Sequence, residues 1–459
     1  MQSRHVVSPV TPSAPQDGRG DLAVARIESL DYEGNGVARI GGKAVFIQGA
    51  LPGDEVRFRY HNKKRNFDTG GVTEILVPSP DRVVPRCRHF GVCGGCSLQH
   101  LLPEAQLREK QQVLRDSLAH IGKVQPDAWL PPLHGPVWGY RRKARLGVRV
   151  VPKKGGVLVG FREKRHSFIT PLESCEVLDP AVSVLLPQLR VLIGGLSCPE
   201  RMPQIEVAVG DPVDGMPCVA LVFRHLEPLS GDDLEQLRGF GARHTMQIFL
   251  QPGGPDSVAR LWPEVAELVY RLPEHQVDLR FLPTDFVQVN AAINRALVGR
   301  ALEILDPRPD DAVLDLFCGL GNFSLPLARR ARRVLGIEAD AVLVARARTN
   351  AAHNGIGNSE FRAADLYVAD GPAPWGDERF EKWLLDPPRT GAMDVIKRLP
   401  ADGSGPRRIL YVSCNPGTLA RDSEVLVHVK GYRLASAGVL DMFPHTAHVE
   451  SLALFELPA

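Results

Sequence analysis

Apolar and polar residues alternate in short runs from residue 21 to about residue 80. DLAVARIESL, GNGVARI, KAVFIQGAL, DEVRFRYH and GGVTEILV are separated by glycine-containing turns. Alternation of this period with turns this close predicts five short strands, enough for a small N-terminal β-barrel of the OB type over 21–80. Residues 1–20 are rich in Pro, Ser, Gly and Gln and predict a disordered tail. Past residue 100 the period changes. Leu107, Leu114, Leu118 and Ile121 recur at helical spacing, so a helix is expected over 103–121, stopped by Gly122 and placed to pack on the C-terminal domain. WGYRRKARLGVRVV (138–151) reads as a strand, and GVLVGFRE (156–163) can pair back on it. The stretch 167–280 mixes strands and helices without recognisable chemistry.

From about residue 281 apolar runs alternate with helical stretches. AVLDLF, VLGIEAD, NSEFRAADL, KWLLDPP, RILYVSC and LALFEL are the candidate strands. The fold class predicted is therefore an α/β chain with an N-terminal barrel (21–80), a mixed α+β central domain (81–280), and a doubly wound, Rossmann-like C-terminal domain (281–459) with a largely parallel sheet.

Charge sharpens this division. The chain's 55 basic and 53 acidic residues give a net charge of +2, which alone argues against a nucleic-acid binder. Counted by segment, 81–166 holds 17 basic and 6 acidic residues, a net of +11, while 167–280 holds 8 and 16. A polyanion partner for 81–166 is thus an expectation that the whole-chain charge hides. In the barrel, Arg57, Arg59, Lys63, Lys64 and Arg65 are placed to meet phosphates, and Arg141, Lys143 and Arg145 would share one strand face. No apolar run approaches a membrane span and no signal peptide is evident, so a cytoplasmic protein without membrane association is expected.

Cysteine placement adds chemistry. Cys87, Cys93 and Cys96 lie in a glycine-rich loop, and Cys175 can supply a fourth thiolate. Four thiolates suit tetrahedral zinc or an iron–sulfur cluster. His89 and His100 flank the loop and could be ligands, but read better as surface residues, and Cys198 and Cys218 read as small buried ones. In VLDLFCGLGNFSLPLA (313–328) a strand runs into Gly319-Leu320-Gly321 and then a helix. The third glycine of a dinucleotide fingerprint is replaced by Ser324, which shifts weight from nicotinamide cofactors to S-adenosylmethionine, a ligand without a pyrophosphate. Glu338, Asp365 and Asp386 end the next three strands, where open α/β sheets bind ligands. Cys414, in YVSCNP, closes another strand at the same edge as a candidate nucleophile. His445, His448 and Glu450 cluster near the end. A metal site is one reading of them, and Glu450 reads better as a general base.

Together these residues resemble the RNA 5-methyluridine methyltransferase family. The matching motifs are DFVQVN (285–290), DLFCGLGNF (315–323), DPPR (386–389), VSCNP (412–416) and FPHTAHVE (443–450). The barrel and the cysteine loop are similar to the branch that carries a TRAM domain and a [4Fe-4S] cluster and acts on 23S rRNA. The resemblance implies that Gln288, Phe317, Asn322, Glu338, Asp365 and Asp386 bind S-adenosylmethionine. It makes Cys414 the nucleophile and Glu450 the base, with Cys87, Cys93, Cys96 and Cys175 holding the cluster. It further implies a monomeric enzyme that methylates uracil C5 through a covalent Cys–C6 adduct. The alternatives are a methyltransferase for another rRNA or tRNA uridine, and a noncatalytic RNA-binding ribosome assembly factor. Radical methylthiotransferases differ in cysteine spacing, and cytosine-C5 methyltransferases differ at the VSCNP strand end.

Overall fold

Strands in the N-terminal region form where β-branched and aromatic residues alternate with polar ones, and glycines turn the chain between them. The computed structural model describes residues 20–213, 216–368, 371–400 and 403–458. The expected tail, apart from its last residue, lies outside them. The chain divides into two compact units. The first takes in residues up to 113 together with 161–170 and 443–448, and the second takes in 114–160, 171–442 and 449–459.

In the first unit, β1 (Leu22–Arg26), β2 (Ser29–Leu30), β3 (Gly36–Ile40), β4 (Lys43–Gln48), β5 (Glu55–Lys63) and β6 (Phe67–Val77) form one sheet in the order β1-β5-β6-β4-β3-β2. That is one strand more than the five expected. The additional strand, β2, is a two-residue element too short to leave a periodic signal. Neighbours are antiparallel except β4 and β6. The inward set, Ala25, Ile27, Ala38, Val45, Ile47, Ala50, Val56 and Phe58, is buried as a single cluster.

Helix α1 (Pro103–His120) forms within one residue of expectation. Its buried stripe is Gln106, Lys110, Leu114 and Leu118, a strict four-residue step, while Ile121 is exposed. Two polar residues are buried because they bond the 443–446 segment of the same unit. Lys110 Nζ donates to the Phe443 carbonyl (3.0 Å), and Gln106 donates to the Leu98 and Leu101 carbonyls and contacts His445 Nδ1 (3.1 Å).

The second unit holds three sheets. The two-residue β7 (Ala128–Trp129) belongs to the last of them. A mixed sheet uses β8 (Lys143–Val151), β9 (Gly156–Gly160), β10 (Gln204–Val213), β11 (Met216–Arg224), β12 (Met246–Gln251) and β13 (Ala259–Trp262), in the order β13-β12-β11-β10-β8-β9. Its helices are α2 (Pro180–Ser183), α3 (Leu186–Gly194) and α4 (Gly231–His244), the last with a Ser230–Asp233 capping box. β14 (Leu268–Leu272) and β15 (Val277–Phe281) form a hairpin.

The largest sheet follows. Its strands are β16 (Ala312–Leu316), β17 (Arg333–Glu338), β18 (Ser359–Ala363), β19 (Lys382–Leu385), β20 (Arg408–Ser413), β21 (Arg433–Leu440) and β22 (Glu450–Glu456), with β7 at one edge. The order is β18-β17-β16-β19-β20-β22-β21-β7. The first five are mutually parallel, and β22 lies antiparallel between β20 and β21. Every residue of β16 is buried, as expected for a strand covered on both faces. Helices α5 (Ala291–Leu305), α6 (Ser324–Ala328), α7 (Ala341–His353), α8 (Met393–Lys397) and α9 (Pro416–His428) connect or flank the strands. The six strands expected here all form. β21 carried little sequence signal because RLASAGVL is rich in small residues. Gly438 within it leaves no room for a side chain, since a Cβ there would stand 2.7 Å from Leu130 Cβ. Strand order reverses at β16, whose neighbours are β17 and β19, and the carboxyl ends at such a switch point are where open α/β sheets bind ligands.

Candidate active site

The turn after β16 presents bare backbone at the carboxyl edge of the sheet. Phe317, Gly319 and Gly321 have φ of +66°, +55° and +98°. Glycine takes such angles without strain, whereas Phe317 is held in the left-handed region against its preference. Its amide bonds the Ile337 carbonyl (2.9 Å). Glu338, at the end of β17, accepts from the Gly319 amide (3.2 Å) and the Asp340 amide (3.0 Å). A carboxylate offers about four acceptor positions, so Glu338 can tie down this turn and still receive two hydroxyls. Asn322 exchanges amide bonds with Asn294 (2.8 and 3.0 Å), which Tyr270 supports at 2.6 Å. This pairing anchors the glycine turn on α5. Gln288 is half-buried on the segment leading into α5.

Ser324, which stands where a dinucleotide fingerprint would have glycine, donates to the buried carboxyl of Asp315. Burial, followed by the charges of Asp386 and Glu338, pushes Asp315 up to about 7. Nothing in the sequence beyond a carboxylate inside an apolar strand signalled this residue. Asp386, just past β19, is likewise pushed up to about 7 by burial. Its residue surface is partly exposed. Asp365 is exposed and accepts from the Tyr367 amide (2.9 Å). Tyr367 left no signal in the sequence. Its ring lies 5.8 Å from Phe317, and its hydroxyl reaches the Gly391 carbonyl (3.0 Å), which ties the loop after β18 to the DPPR loop.

Strand register brings the proposed nucleophile and base together. Ser413, the last residue of β20, pairs antiparallel with Ser451, the second residue of β22. Cys414 and Glu450 therefore stand at neighbouring strand ends. Burial, then the charges of Glu450 and Asp386, push the Cys414 thiol up to about 11, with Arg389 opposing. The resting group is thus a thiol. Its support is rigid. Asn415 caps α9 by accepting from the Gly417 amide (3.0 Å) and donates to the Arg389 carbonyl (3.2 Å). Behind it, fully buried Asp422 accepts from Tyr411 (2.8 Å) and from the Ala392 amide (2.7 Å). Cys318, beside the cofactor turn, is buried and its thiol pushed well up, so it is a poor competitor as nucleophile.

The histidines near the C-terminal end read differently in the structure. His445 is buried at φ +65°, with its amide bonded to Gln106 Oε1 (2.8 Å) and its carbonyl receiving the Ser97 and Leu98 amides (both 2.9 Å). Its role is to dock the 443–448 segment within the first unit.

The cysteine loop is compact. Cys96 is buried, Cys87 and Cys93 are half-buried, and the Gly95 amide donates to Cys93 Sγ (3.4 Å). Lys164 is close enough to Cys93 and Cys96 for their charges to act on it. Cys175 lies in the second unit, buried, its amide bonded to Ser183 (2.8 Å). Among the described residues, no group of three or more His, Cys, Asp or Glu side chains is gathered to hold an ion. His100 corrects the expectation of a surface residue. It is buried, which depresses its pKa, and packs on Phe90 at 5.1 Å. Cys218 is buried as expected, whereas Cys198 is half-buried.

The strand cations depart furthest from expectation. β8 begins only at Lys143, so Arg141 lies outside it. Lys143 is largely buried, donates to the Pro283 carbonyl and is lowered to about 8 by desolvation. Arg142 pairs with Asp211 (2.6 Å) and Arg145 with Glu206 (2.8 Å). Of the cations expected to grip phosphates, Lys143 is thus turned to a carbonyl and Arg145 is paired with an acid of 167–280, while Arg149 of the same strand is exposed. In the barrel, Arg57 pairs with Glu74 and Lys63 with Asp21 (2.7 Å). Among the described residues, no helix is long and apolar enough to cross a membrane.

Comparisons with known proteins identify the family and the fold. Residues 263–365 and 375–457 match the tRNA (uracil-5-)-methyltransferase family, and residues 19–68 match the TRAM domain. The chain is 55% identical over 441 residues to the 23S rRNA (uracil(1939)-C(5))-methyltransferase of Thiobacillus denitrificans, covering 94% of this chain and 99% of that protein. It is 53% identical over 437 residues to the protein of the same name from Aromatoleum aromaticum, covering 95% and 100%. Among solved structures it is similar to the Pyrococcus abyssi tRNA (uracil-54, C5)-methyltransferase in complex with S-adenosyl-L-homocysteine. That match has a TM-score of 0.71 at 24% identity, covering 94% of this chain and 100% of that one, and it supports the fold.

Proposed function

Because this chain belongs to the RNA uracil-C5 methyltransferase family, we propose that it transfers a methyl group from S-adenosylmethionine to C5 of a uridine in 23S rRNA. By its relatives that uridine is 1939. The observation that carries the chemistry is the β20–β22 register, which sets Cys414 beside Glu450 at the edge where Asp386 also ends its strand.

Uracil C5 is a weak nucleophile. Addition of the Cys414 sulfur to C6 forms an S–C6 bond and moves the C5–C6 electron pair onto an enolate, whose C5 can attack an electrophilic methyl. S-adenosylmethionine supplies that methyl when bound and leaves as S-adenosylhomocysteine. Glu450 takes the C5 proton, the C5–C6 double bond re-forms, and Cys414 departs as thiolate. A thiol at about 11 must first lose its proton. A sulfonium cation bound nearby favours that loss, because it offsets the charges of Glu450 and Asp386. Gln288, Phe317, Asn322, Glu338, Asp365 and Asp386 line or support the cofactor position.

Cys87, Cys93, Cys96 and Cys175 fit a [4Fe-4S] cluster by donor chemistry. Four thiolates are the usual ligand set, an amide already donates to one sulfur, and Lys164 faces two of them. The cluster's contribution is structural, since methyl transfer of this kind needs no electron. Functionally the chain reads as a TRAM barrel over 21–80, a cluster and RNA-binding domain over 81–280, and a methyltransferase domain over 281–459, working as a monomer.

The test is direct. Cys414→Ala should abolish 5-methyluridine at 1939 while RNA and cofactor still bind. Glu450→Gln should accumulate a denaturant-stable protein–RNA adduct. Full methylation by Cys414→Ala would overturn the covalent route, and an unmodified 1939 with methylation elsewhere would reassign the target.

A further inference from the structure

The +11 of residues 81–166 is not spread evenly over the fold. Two of the β8-region cations, Arg142 and Arg145, are paired with acids, whereas part of the remaining excess sits on a short finger in the first unit. Arg162 pairs with Ile169 across an antiparallel bridge, the Glu163 amide bonds the Phe168 carbonyl (2.9 Å), and the Thr170 amide bonds the Phe161 carbonyl (2.9 Å). The chain reverses over Lys164–Ser167, with Arg165 in the left-handed region at φ +63°. The finger is fastened to the cysteine loop by main-chain bonds from the Gly94 amide to the Arg162 carbonyl and from the Lys164 amide to the Val92 carbonyl (both 2.8 Å). Lys164 turns inward, over the Phe90 ring at 4.9 Å.

Arg162 and Arg165 turn outward. Both are exposed, and among the described residues neither forms an ion pair. Between them and the buried Ile169, Phe168 holds 61% of its surface in solvent, with the His166 ring stacked 5.7 Å away at 27°. An exposed phenylalanine on a pinned hairpin, beside two unpaired guanidiniums, matches the chemistry of single-stranded nucleic acid, in which bases stack on aromatic faces and arginines meet phosphates. The surface continues onto the barrel. Arg165 is near enough to His61 of β5 for its charge to lower that histidine's pKa, after burial, and β5 is followed by Lys64 and Arg65.

We propose that the 161–170 finger is an RNA-reading element in which Phe168 stacks on an unpaired base of the substrate while Arg162 and Arg165 hold the flanking phosphates. This rests on the methyltransferase reading above, and it assigns recognition to a site remote in sequence from Cys414.

The experiment measures binding of a 23S rRNA fragment containing uridine 1939 to the full chain at several salt concentrations, alongside methylation. Phe168→Leu keeps an apolar side chain but removes the aromatic face. It should bind about 5- to 150-fold more weakly, the range expected for one lost base stack, with an unchanged salt slope. Phe168→Trp should restore binding. Arg162→Gln with Arg165→Gln should instead reduce the slope of log K against log salt by roughly 1.4, about 0.7 per phosphate contact. Phe168→Leu binding as tightly as the wild type, or Phe168→Trp failing to restore binding, would overturn the stacking role. An unchanged slope in the arginine double variant would overturn the phosphate contacts. A wild-type chain that neither binds nor methylates the fragment would instead overturn the functional reading itself.

Discussion

Reactivity of Cys414 in the resting protein is the sharpest consequence of the site's electrostatics. Its thiol is raised from 9.0 to about 11 by burial and by the Glu450 and Asp386 charges. At pH 8 the thiolate fraction is then about 100-fold below that of an unperturbed thiol, since each pKa unit is a factor of 10. A more basic thiolate is also a better nucleophile. With a Brønsted slope of about 0.4–0.5, two units return roughly a 6- to 10-fold gain. Cys414 should therefore attack an aromatic disulfide reagent about 10- to 16-fold more slowly than an ordinary thiol at pH 8. The rate should keep rising through pH 10 instead of levelling near 9. The assay is modification of the full chain, read by mass spectrometry of the Cys414 peptide, with Cys414→Ala as the blank. Glu450→Gln should speed the reaction by removing one negative charge. S-adenosylmethionine should speed it as well, and S-adenosylhomocysteine, lacking the sulfonium, should not. A plateau below pH 9, or slower modification of Glu450→Gln, would refute the electrostatic argument.

Other consequences can be measured independently. Asp386 is pushed up to about 7, so it is largely protonated below that pH; cofactor affinity should strengthen as pH rises through 7, and Asp386→Asn should flatten the profile in calorimetry. Asp315 has a folded pKa near 7, raised above its unfolded value, so its stabilising contribution is complete below about pH 4 and lost as pH rises through 7. Asp315→Asn should remove a pH-dependent term of about 4 kcal/mol from chemical unfolding, and an unchanged pH profile would count against the raised pKa. Asp422→Ala strands the Tyr411 hydroxyl and the Ala392 amide in the interior and should cost about 3–5 kcal/mol, against about 1.5–3 for Tyr411→Phe; equal losses would contradict the shared-acceptor geometry. Anaerobically purified protein should be brown, with about four iron and four sulfide per chain, and Cys93→Ser should lower both; a colourless, zinc-loaded chain would refute the cluster.

Local pattern alone determined the elements whose neighbours impose little. The apolar run of β16 around Asp315, the glycine turn after it and the period of α1 were all legible, because burial on both faces and backbone conformation leave direct marks in residue type. Motif order likewise placed Glu338, Asp386 and Cys414 at strand ends. Tertiary structure decided the rest. β21 carries glycine at position 438 because the chain just after β7 crosses closely there, a reason that lies more than 300 residues away in the chain. The register that sets Glu450 beside Cys414 depends on β22 entering antiparallel beside β20, which no local period encodes. Charge shows the division most clearly. Composition fixes how many cations a segment carries, but ion pairing is a through-space property. Only the fold reveals that Arg142 and Arg145 are neutralised by acids more than 60 residues on, while Arg162 and Arg165 remain turned to solvent.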